Sequence, residues 1–314
     1  MAGFTSQIRK AISIEDLDQQ LSRMHKNSYV TKGSYTSHGP GTVVDYEWNH
    51  LDQWHRNYLH DAYHDALRIA TSNDIAISVM AWKNLPVYIQ VADMRIARGL
   101  FYQTFSIFGL LLCFQIARLT QEGNQVKMDI QWRTVSHRWL WFLHGPFNRK
   151  LKAVQAKQDG EDLVIRERRQ KMRSLGFHFK TDEPDFINSN ILTDMVIFPK
   201  LDAPLRSSTK GLKAGEKNRV KIGLLELYVM PKERGVEVWP AFCSHEGAEM
   251  PKEKFCDGVL ECPWHGRKFK AVSLAPGQGT YRISNLALTL EGDDLVLKNA
   301  TEVPSESAEV SMAQ

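Results

Sequence analysis

Residues 243–266 read CSHEGAEMPKEKFCDGVLECPWHG. Cys243 and His245 form a C-x-H pair, Cys262 and His265 form a C-x-x-H pair, and sixteen residues lie between them. Each pair offers one thiolate and one imidazole, so two short loops can pinch a metal group from both sides. Gly247 and Gly266 follow the two histidines, where backbone N–H groups must approach a buried group with no side chain in the way. Pro263 stiffens the second loop, and Trp264 can shield the site from water.

Two metal groups suit these donors. Zinc accepts Cys₂His₂, but zinc fingers pair C-x-x-C with H-x-x-x-H and do not alternate Cys and His. A [2Fe–2S] cluster with two thiolates on one iron and two imidazoles on the other matches the alternation, and the Gly and Pro positions strengthen that reading. Over about residues 220–298 the chain resembles the Rieske proteins. The cytochrome-complex branch of that family adds a Cys to each loop to form a disulfide. Ala248 and Trp264 stand near those places here, so the chain resembles the oxygenase and ferredoxin branch.

A length of 314 residues suggests about two domains. Hydrophobic content of 43% and charged content of 24% fit a globular chain. Four cysteines make no disulfide framework: Cys243 and Cys262 belong to the cluster motif, which leaves Cys113 and Cys256 as expected free thiols. That usage points to a reducing, cytoplasmic setting. A net charge of +4 gives no ground for a nucleic-acid partner. The first ten residues, MAGFTSQIRK, lack the apolar core of a secretory signal. Residues 99–117, GLFYQTFSIFGLLLCFQIA, approach the length of a spanning helix. They hold Gln103, Thr104, Ser106 and Gln115, with Gly109 in the middle, and read as two buried strands. A peripheral membrane contact stays open.

An arm, 1–45, contains a short helix over 13–26 capped by Ser13 and ends in a Gly/Ser/Thr-rich stretch, 33–42. Residues 47–71 are dense in His and aromatics and read as helical. Strands follow from 86 to 135, with a turn at Gly123–Asn124. Helical stretches over 137–158, broken at Gly145–Pro146, and 161–175, stopped by Gly176, close a domain running from 46 to 200. Residues 201–219 have linker composition, 220–300 form the cluster domain, and the tail, 301–314, reads as disordered. The expected fold class is α+β. By element order the first domain resembles the helix-grip layout of the START superfamily, an antiparallel sheet wrapped round a long late helix. An all-β Rieske domain follows it.

One cluster moves one electron and makes no new bond, so an enzyme needs a second centre. Residues 51–60, LDQWHRNYLH, contain Asp52-x-x-His55-x-x-x-x-His60. Two histidines and a carboxylate with open positions are the facial triad of non-haem iron(II) oxygenases. Glu47-x-x-His50-x-x-x-x-His55 has the same spacing, however, and His64 lies close by. On an ideal helix residues five apart point about 140° apart, so His55 and His60 share a metal only if the helix breaks between them. The run resembles the D-x-x-H-x-x-x-x-H motif of Rieske non-haem iron oxygenases. The resemblance implies that His55 and His60 are iron ligands. It also implies that Asp52 is the electron bridge to the cluster of a neighbouring subunit in a trimer. The third ligand it implies is an Asp in a late acidic stretch. EDLVIRE, 161–167, resembles that context and selects Asp162, with Asp159 as a competitor. The order of the two domains is reversed relative to the family's common order.

The expected function is oxygenation of an apolar small molecule by O₂ at a mononuclear Fe(2+). Electrons would come through the [2Fe–2S] cluster from a ferredoxin or an NAD(P)H-dependent reductase. The basic run 149–173 could dock such a donor, but a solvated helix face is the favoured explanation. The rival is a non-catalytic electron carrier whose first domain binds a lipid or a partner.

Overall fold

The computed structural model describes residues 13–23, 27–52, 55–60, 63–71, 74–82, 88–183 and 193–300. The expected disordered tail, 301–314, lies outside them. The chain divides into two compact units, one ending at Glu167 and the other starting at Arg168.

The first unit opens with α1 (Ile14–Ser22), whose N-terminus is closed by a reciprocal Ser13–Asp16 capping box. Next come β1 (Ser28–Pro40), α2 (Val43–Leu51) and the single turn α3 (Arg56–Leu59). Six further strands follow: β2 (Tyr63–Thr71), β3 (Ile75–Trp82), β4 (Tyr88–Ala97), β5 (Leu100–Ile107), β6 (Leu111–Glu122) and β7 (Gln125–His137). The seven form one antiparallel sheet in the order β1-β7-β6-β5-β4-β3-β2. The unit closes on α4, which starts at Trp141 and runs to Ser174 across the division.

Alternation on the strands sets the inner face of the sheet. Val126, Met128, Ile130 and Trp132 recur at every second position of β7 and pack with Phe147 and Leu151 of α4. Val154 of α4 meets Met80, Ile89 and Val91. The inward stripe of α4 is therefore apolar over 147–154, at helical spacing. Farther along, Gln155, Gln158, Asp159, Asp162 and Arg166 continue on the helix, and there the interior opens into a cavity. A sheet gripping a long helix is the helix-grip fold.

Several expectations need correction. Residues 33–42 do not end an arm; most of them lie in β1, paired along β7 with Gly33 opposite Trp132. A Cβ at Gly33 would lie 2.2 Å from the indole, so the glycine makes room for a ring. Residues 47–71 are not one helix: α2 stops at Leu51, α3 at Leu59, and β2 takes over at Tyr63. Helices over 137–158 and 161–175 are one helix of 34 residues, with Pro146 inside it. Pro146 sits near the N-terminus, so it removes a single early backbone bond and the helix continues. Residues 99–117 are a hairpin of β5 and β6, as expected. No helix among the described residues is long and apolar enough to cross a membrane.

The second unit is built from short strands: β8 (His178–Phe179), β9 (Val196–Ile197), β10 (Leu205–Ser208), β11 (Asn218–Ile222), β12 (Leu225–Lys232) and β13 (Gly235–Pro240). After these come β14 (Phe255–Cys256), β15 (Val259–Glu261), β16 (Lys268–Phe269), β17 (Val272–Leu274), β18 (Tyr281–Ile283), β19 (Leu286–Glu291) and β20 (Asp294–Asn299). Two four-stranded sheets, β10-β20-β19-β18 and β11-β12-β13-β17, enclose a core of Leu, Val, Ile and Phe. A three-stranded sheet, β14-β15-β16, carries the second cysteine loop. Residues 201–219 are not simply a linker, because β10 and the start of β11 lie within them and Leu205 packs on the core.

Candidate metal centres

In the second unit, Cys243 to Gly247 follow β13 and Cys262 to Gly266 follow β15. The loops share one backbone pattern. Gly247 N–H donates to the Cys243 carbonyl at 2.7 Å, and Gly266 N–H donates to the Cys262 carbonyl at 2.9 Å. Cys243 N–H donates to Ala248 and Cys262 N–H donates to Arg267, both at 2.8 Å. Gly247 and Gly266 hold φ of 86° and 67°, left-handed values suited to glycine. Gly247 is also pinned by packing, since a Cβ there would meet the Met172 sulfur at 2.3 Å.

The four donors converge. The rings of His245 and His265 stack edge-on at 4.7 Å, and all four side chains are buried. Burial alone would raise the Cys243 thiol, but a hydrogen bond with Cys262 and the Arg267 guanidinium bring it down to about 7. The same hydrogen bond pushes Cys262 up. One buried thiol thus ionises at the expense of its neighbour, an arrangement suited to a positively charged group between them. Arg267 is held by Asp194 at 2.8 Å, and the Ser244 hydroxyl donates to the same carboxylate. Trp264, within the second loop, is buried.

The sequence family described as Rieske [2Fe-2S] domain matches residues 205–282. Residues 205–282 are a Rieske [2Fe–2S] domain. The Rieske domain binds a [2Fe–2S] cluster and carries electrons, and such domains take their electrons from reductase or ferredoxin partners. Its donor set fits the cluster: two buried thiols and two buried imidazoles on opposed loops.

In the first unit, α2 ends at Asp52, whose backbone is extended, and His55 caps the N-terminus of α3. His60 caps its C-terminus with extended backbone. The chain leaves the helix at His60, so the 140° divergence of residues five apart on a continuous helix does not hold here. His55 Nε2 and His60 Nε2 lie 3.2 Å apart. Asp162 Oδ1 of α4 lies 3.5 Å from the first and 3.4 Å from the second. Three donors about 2.1 Å from one ion sit roughly 3.0–3.5 Å apart, so the spacing fits a metal triad. Asp162 Oδ1 is buried and makes no hydrogen bond among the described residues.

The outer nitrogens are held as well. His55 Nδ1 lies 3.3 Å from Asp52 Oδ2, and His60 Nδ1 lies 2.8 Å from Glu161 Oε2. A carboxylate on Nδ1 keeps the proton there and turns the Nε2 lone pair inward. Two such lone pairs and a carboxylate oxygen then face one another, which calls for a cation in their midst. Burial lowers the basicity of both rings; at His55 the Asp162 and Asp52 carboxylates outweigh it and raise the value to about 10, while at His60 burial prevails. Burial would raise Asp162, yet the two histidines and Arg166 draw it below the usual carboxylate value. A proton on His55 or a metal ion can answer the same charge.

The competing carboxylates have partners of their own. Glu47 is engaged by Arg95 at 3.1 Å, Arg98 at 3.0 Å and the Gly99 N–H at 2.6 Å, so its carboxylate is held away from the two imidazoles. Asp159 pairs with Arg166 at 2.6 Å. The His64 side chain lies outside the described ones. Glu161 was not singled out as a site residue; only its place beside Asp162 in an acidic pair hinted at it.

The cavity beside the triad has about 720 Å³ of space, part of it open to solvent. Phe101, Ala117, Met128 and Ile130 supply an apolar wall, and Asn49, Gln103, Gln115, Gln155 and Gln158 supply carboxamides. Arg56 on the lining is paired with buried Asp93 at 3.2 Å. A second lobe shares Arg56, Gln103, Gln155 and Gln158 and is otherwise apolar, with Met80, Ile89, Val91, Phe105, Leu151 and Val154.

No curated protein sequence matches the chain. Solved structures similar to it include norcoclaurine synthase from Thalictrum flavum in complex with dopamine and hydroxybenzaldehyde. That likeness has 12% identity and a TM-score of 0.38, covering 45% of this chain and 89% of that one. The Zhui aromatase/cyclase from Streptomyces sp. R1128 is similar at 9% identity and a TM-score of 0.38, covering 45% and 96%. Ara h 8.0201 is similar at 11% identity and a TM-score of 0.35, covering 43% and 99%.

Proposed function

We propose that the chain is a Rieske-type non-haem iron oxygenase that inserts oxygen into a small molecule held in the first unit. The observation that carries this reading is the approach of His55 Nε2, His60 Nε2 and Asp162 Oδ1 to within 3.2–3.5 Å of one another. Iron(II) bound by two imidazoles and a carboxylate supplies O₂ binding and activation at its open positions. Cys243, His245, Cys262 and His265 would hold the [2Fe–2S] cluster that feeds single electrons.

The chain's own residues do the rest. Asp52 and Glu161 orient the two imidazoles through Nδ1, and Asp162 balances charge. Asp52 is also our choice for the bridge by which electrons reach His55 from a cluster on another subunit of a homo-oligomer. Arg56–Asp93 and Arg166–Asp159 neutralise each other, so the cavity favours a neutral ligand. The apolar wall takes a carbon skeleton and the carboxamides take a neutral polar group on it. The reading thus moves from a purely apolar substrate to one with a hydrogen-bonding group.

Hydroxylation balances as C–H + O₂ + two electrons + two protons → C–OH + H₂O, or as oxidative dealkylation when the attacked carbon bears a heteroatom. The electrons come from a separate ferredoxin or NAD(P)H-dependent reductase. The unpaired thiols Cys113 and Cys256 suit a reducing compartment such as the cytoplasm.

Anaerobic purification followed by iron and sulfide analysis tests the proposal. About three irons per chain are expected, two of them with sulfide and one without. His60→Ala should remove only the sulfide-free iron and leave the cluster spectrum unchanged. Two irons in the wild type, with no change on substitution, would leave an electron carrier in place of an oxygenase.

A further inference from the structure

One end of the first unit's sheet carries a group of large apolar side chains in water. Tyr88, Phe108, Leu110, Trp139, Trp141 and Phe142 are each at least 50% exposed. Single exposed apolar residues are ordinary, but a cluster of this size marks a contact surface. Register brings them together. Ile89 pairs with Ile107, and Leu111 pairs with Ser136, so the start of β4, the β5–β6 tip and the end of β7 share one end of the sheet. Four neighbouring strands span only about 15 Å.

The tip is built to project. Phe108 holds φ of 52° and Gly109 φ of 67°. Such positions ordinarily go to Asn or Gly, and a bulky residue is strained there. The turn is nonetheless tied, with Leu110 N–H donating to the Ile107 carbonyl at 2.9 Å and Gly109 N–H donating to Ser106 Oγ at 3.0 Å. Nothing lies within 4 Å of a Cβ built at Gly109.

The segment leading from this end into α4 is basic. Residues 137–158 carry Arg138, Arg149, Lys150, Lys152 and Lys157 and no acid. Arg138, Arg149, Lys150 and Lys152 are exposed. We propose that this aromatic end, flanked by its basic residues, docks the protein on an anionic lipid surface. Trp, Tyr and Phe with neighbouring Arg and Lys are the side chains suited to the headgroup layer. The end is a set of projecting tips, which enter a soft interface better than they fill a rigid groove. A second copy meeting this face through itself would bring like charges together. The surface is separate from the proposed iron site and does not depend on it.

Flotation of the full chain with vesicles is the test, comparing phosphatidylcholine alone with an equal mixture of phosphatidylcholine and phosphatidylglycerol. Binding to the mixed vesicles is expected, together with a blue shift of tryptophan emission. Combined Trp139→Ala, Trp141→Ala and Phe142→Ala should abolish both, while far-UV circular dichroism and cluster absorbance stay unchanged. Lys150→Ser should weaken binding about fivefold. If the triple variant fails to fold, quenching of the wild type's tryptophans by brominated lipid decides in its place. Absence of binding to the mixed vesicles, equal binding by the triple variant, or no quenching would overturn the proposal. So would a triple variant whose only change is a smaller oligomer, since the face would then join copies of this chain.

Discussion

In the proposed iron site, Glu161 and Asp52 hold the imidazoles and do not themselves bind the metal. Each accepts from the Nδ1 of one histidine, at 2.8 Å for Glu161 and 3.3 Å for Asp52, so each fixes a tautomer and a ring plane. Glu161→Ala is expected to lower Fe(II) affinity of the first unit about 10–100-fold, the usual cost of losing such a partner. Anaerobic Fe(II) titration measures it, with Glu161→Gln recovering much of the affinity because its amide oxygen still accepts from Nδ1. Equal affinity for all three proteins would remove Glu161 from this role. The cluster motif was legible from the Cys and His spacing together with the Gly and Pro positions, because two short loops carry all four donors locally. The triad was legible only in part. His50, His55 and His60 offer two registers of one spacing, and Asp162 lies about a hundred residues away. What separated them was the partner of each carboxylate: Glu47 satisfied by arginines and a backbone N–H, Asp159 by Arg166, and Asp162 Oδ1 left facing two imidazoles.

At the level of elements, strand β1 teaches the plainest lesson. Most of the Gly/Ser/Thr-rich stretch 33–42, which reads as the end of an arm, lies in its sequence, SYVTKGSYTSHGP. It is an edge strand paired along the length of β7, and Gly33 leaves the space that Trp132 fills. Gly33→Ala should destabilise the protein by about 1–3 kcal/mol, the ordinary penalty for overfilling a packed site. Urea unfolding followed by tryptophan fluorescence gives the number, and an unchanged midpoint would mean that the indole moves aside freely. The α4 helix errs in the other direction. Gly145 and Pro146 read as a break, yet the helix runs for 34 residues because the loss falls near its start and the packed face of Phe147, Leu151 and Val154 holds it. Between His55 and His60 local propensity again yields, as α3 shrinks to a single turn so that the two rings meet.

At the scale of the whole molecule, the described buried apolar side chains of each unit cluster separately. In the first they comprise the sheet face and α4 up to Val154, and in the second they run from Met172 to Leu297. Units with separate cores unfold with limited cooperativity. Differential scanning calorimetry should therefore give a van't Hoff enthalpy below the calorimetric one. Equal values would mean that α4, common to both units, couples them into a single transition.

Spacing of Cys and His along the chain, with the Gly and Pro positions, was enough to identify the cluster-binding domain, since those donors lie on loops a few residues long. Alternating apolar residues were enough to place β4 to β7, since each strand carries its own pattern. Three-dimensional packing alone decided that a Gly/Ser-rich stretch pairs as a strand, that a Pro-bearing helix stays whole, and that Asp162, not Asp159, faces the histidines. Those outcomes depend on partners distant in sequence, and the free energy that selects them comes from contacts no local window contains.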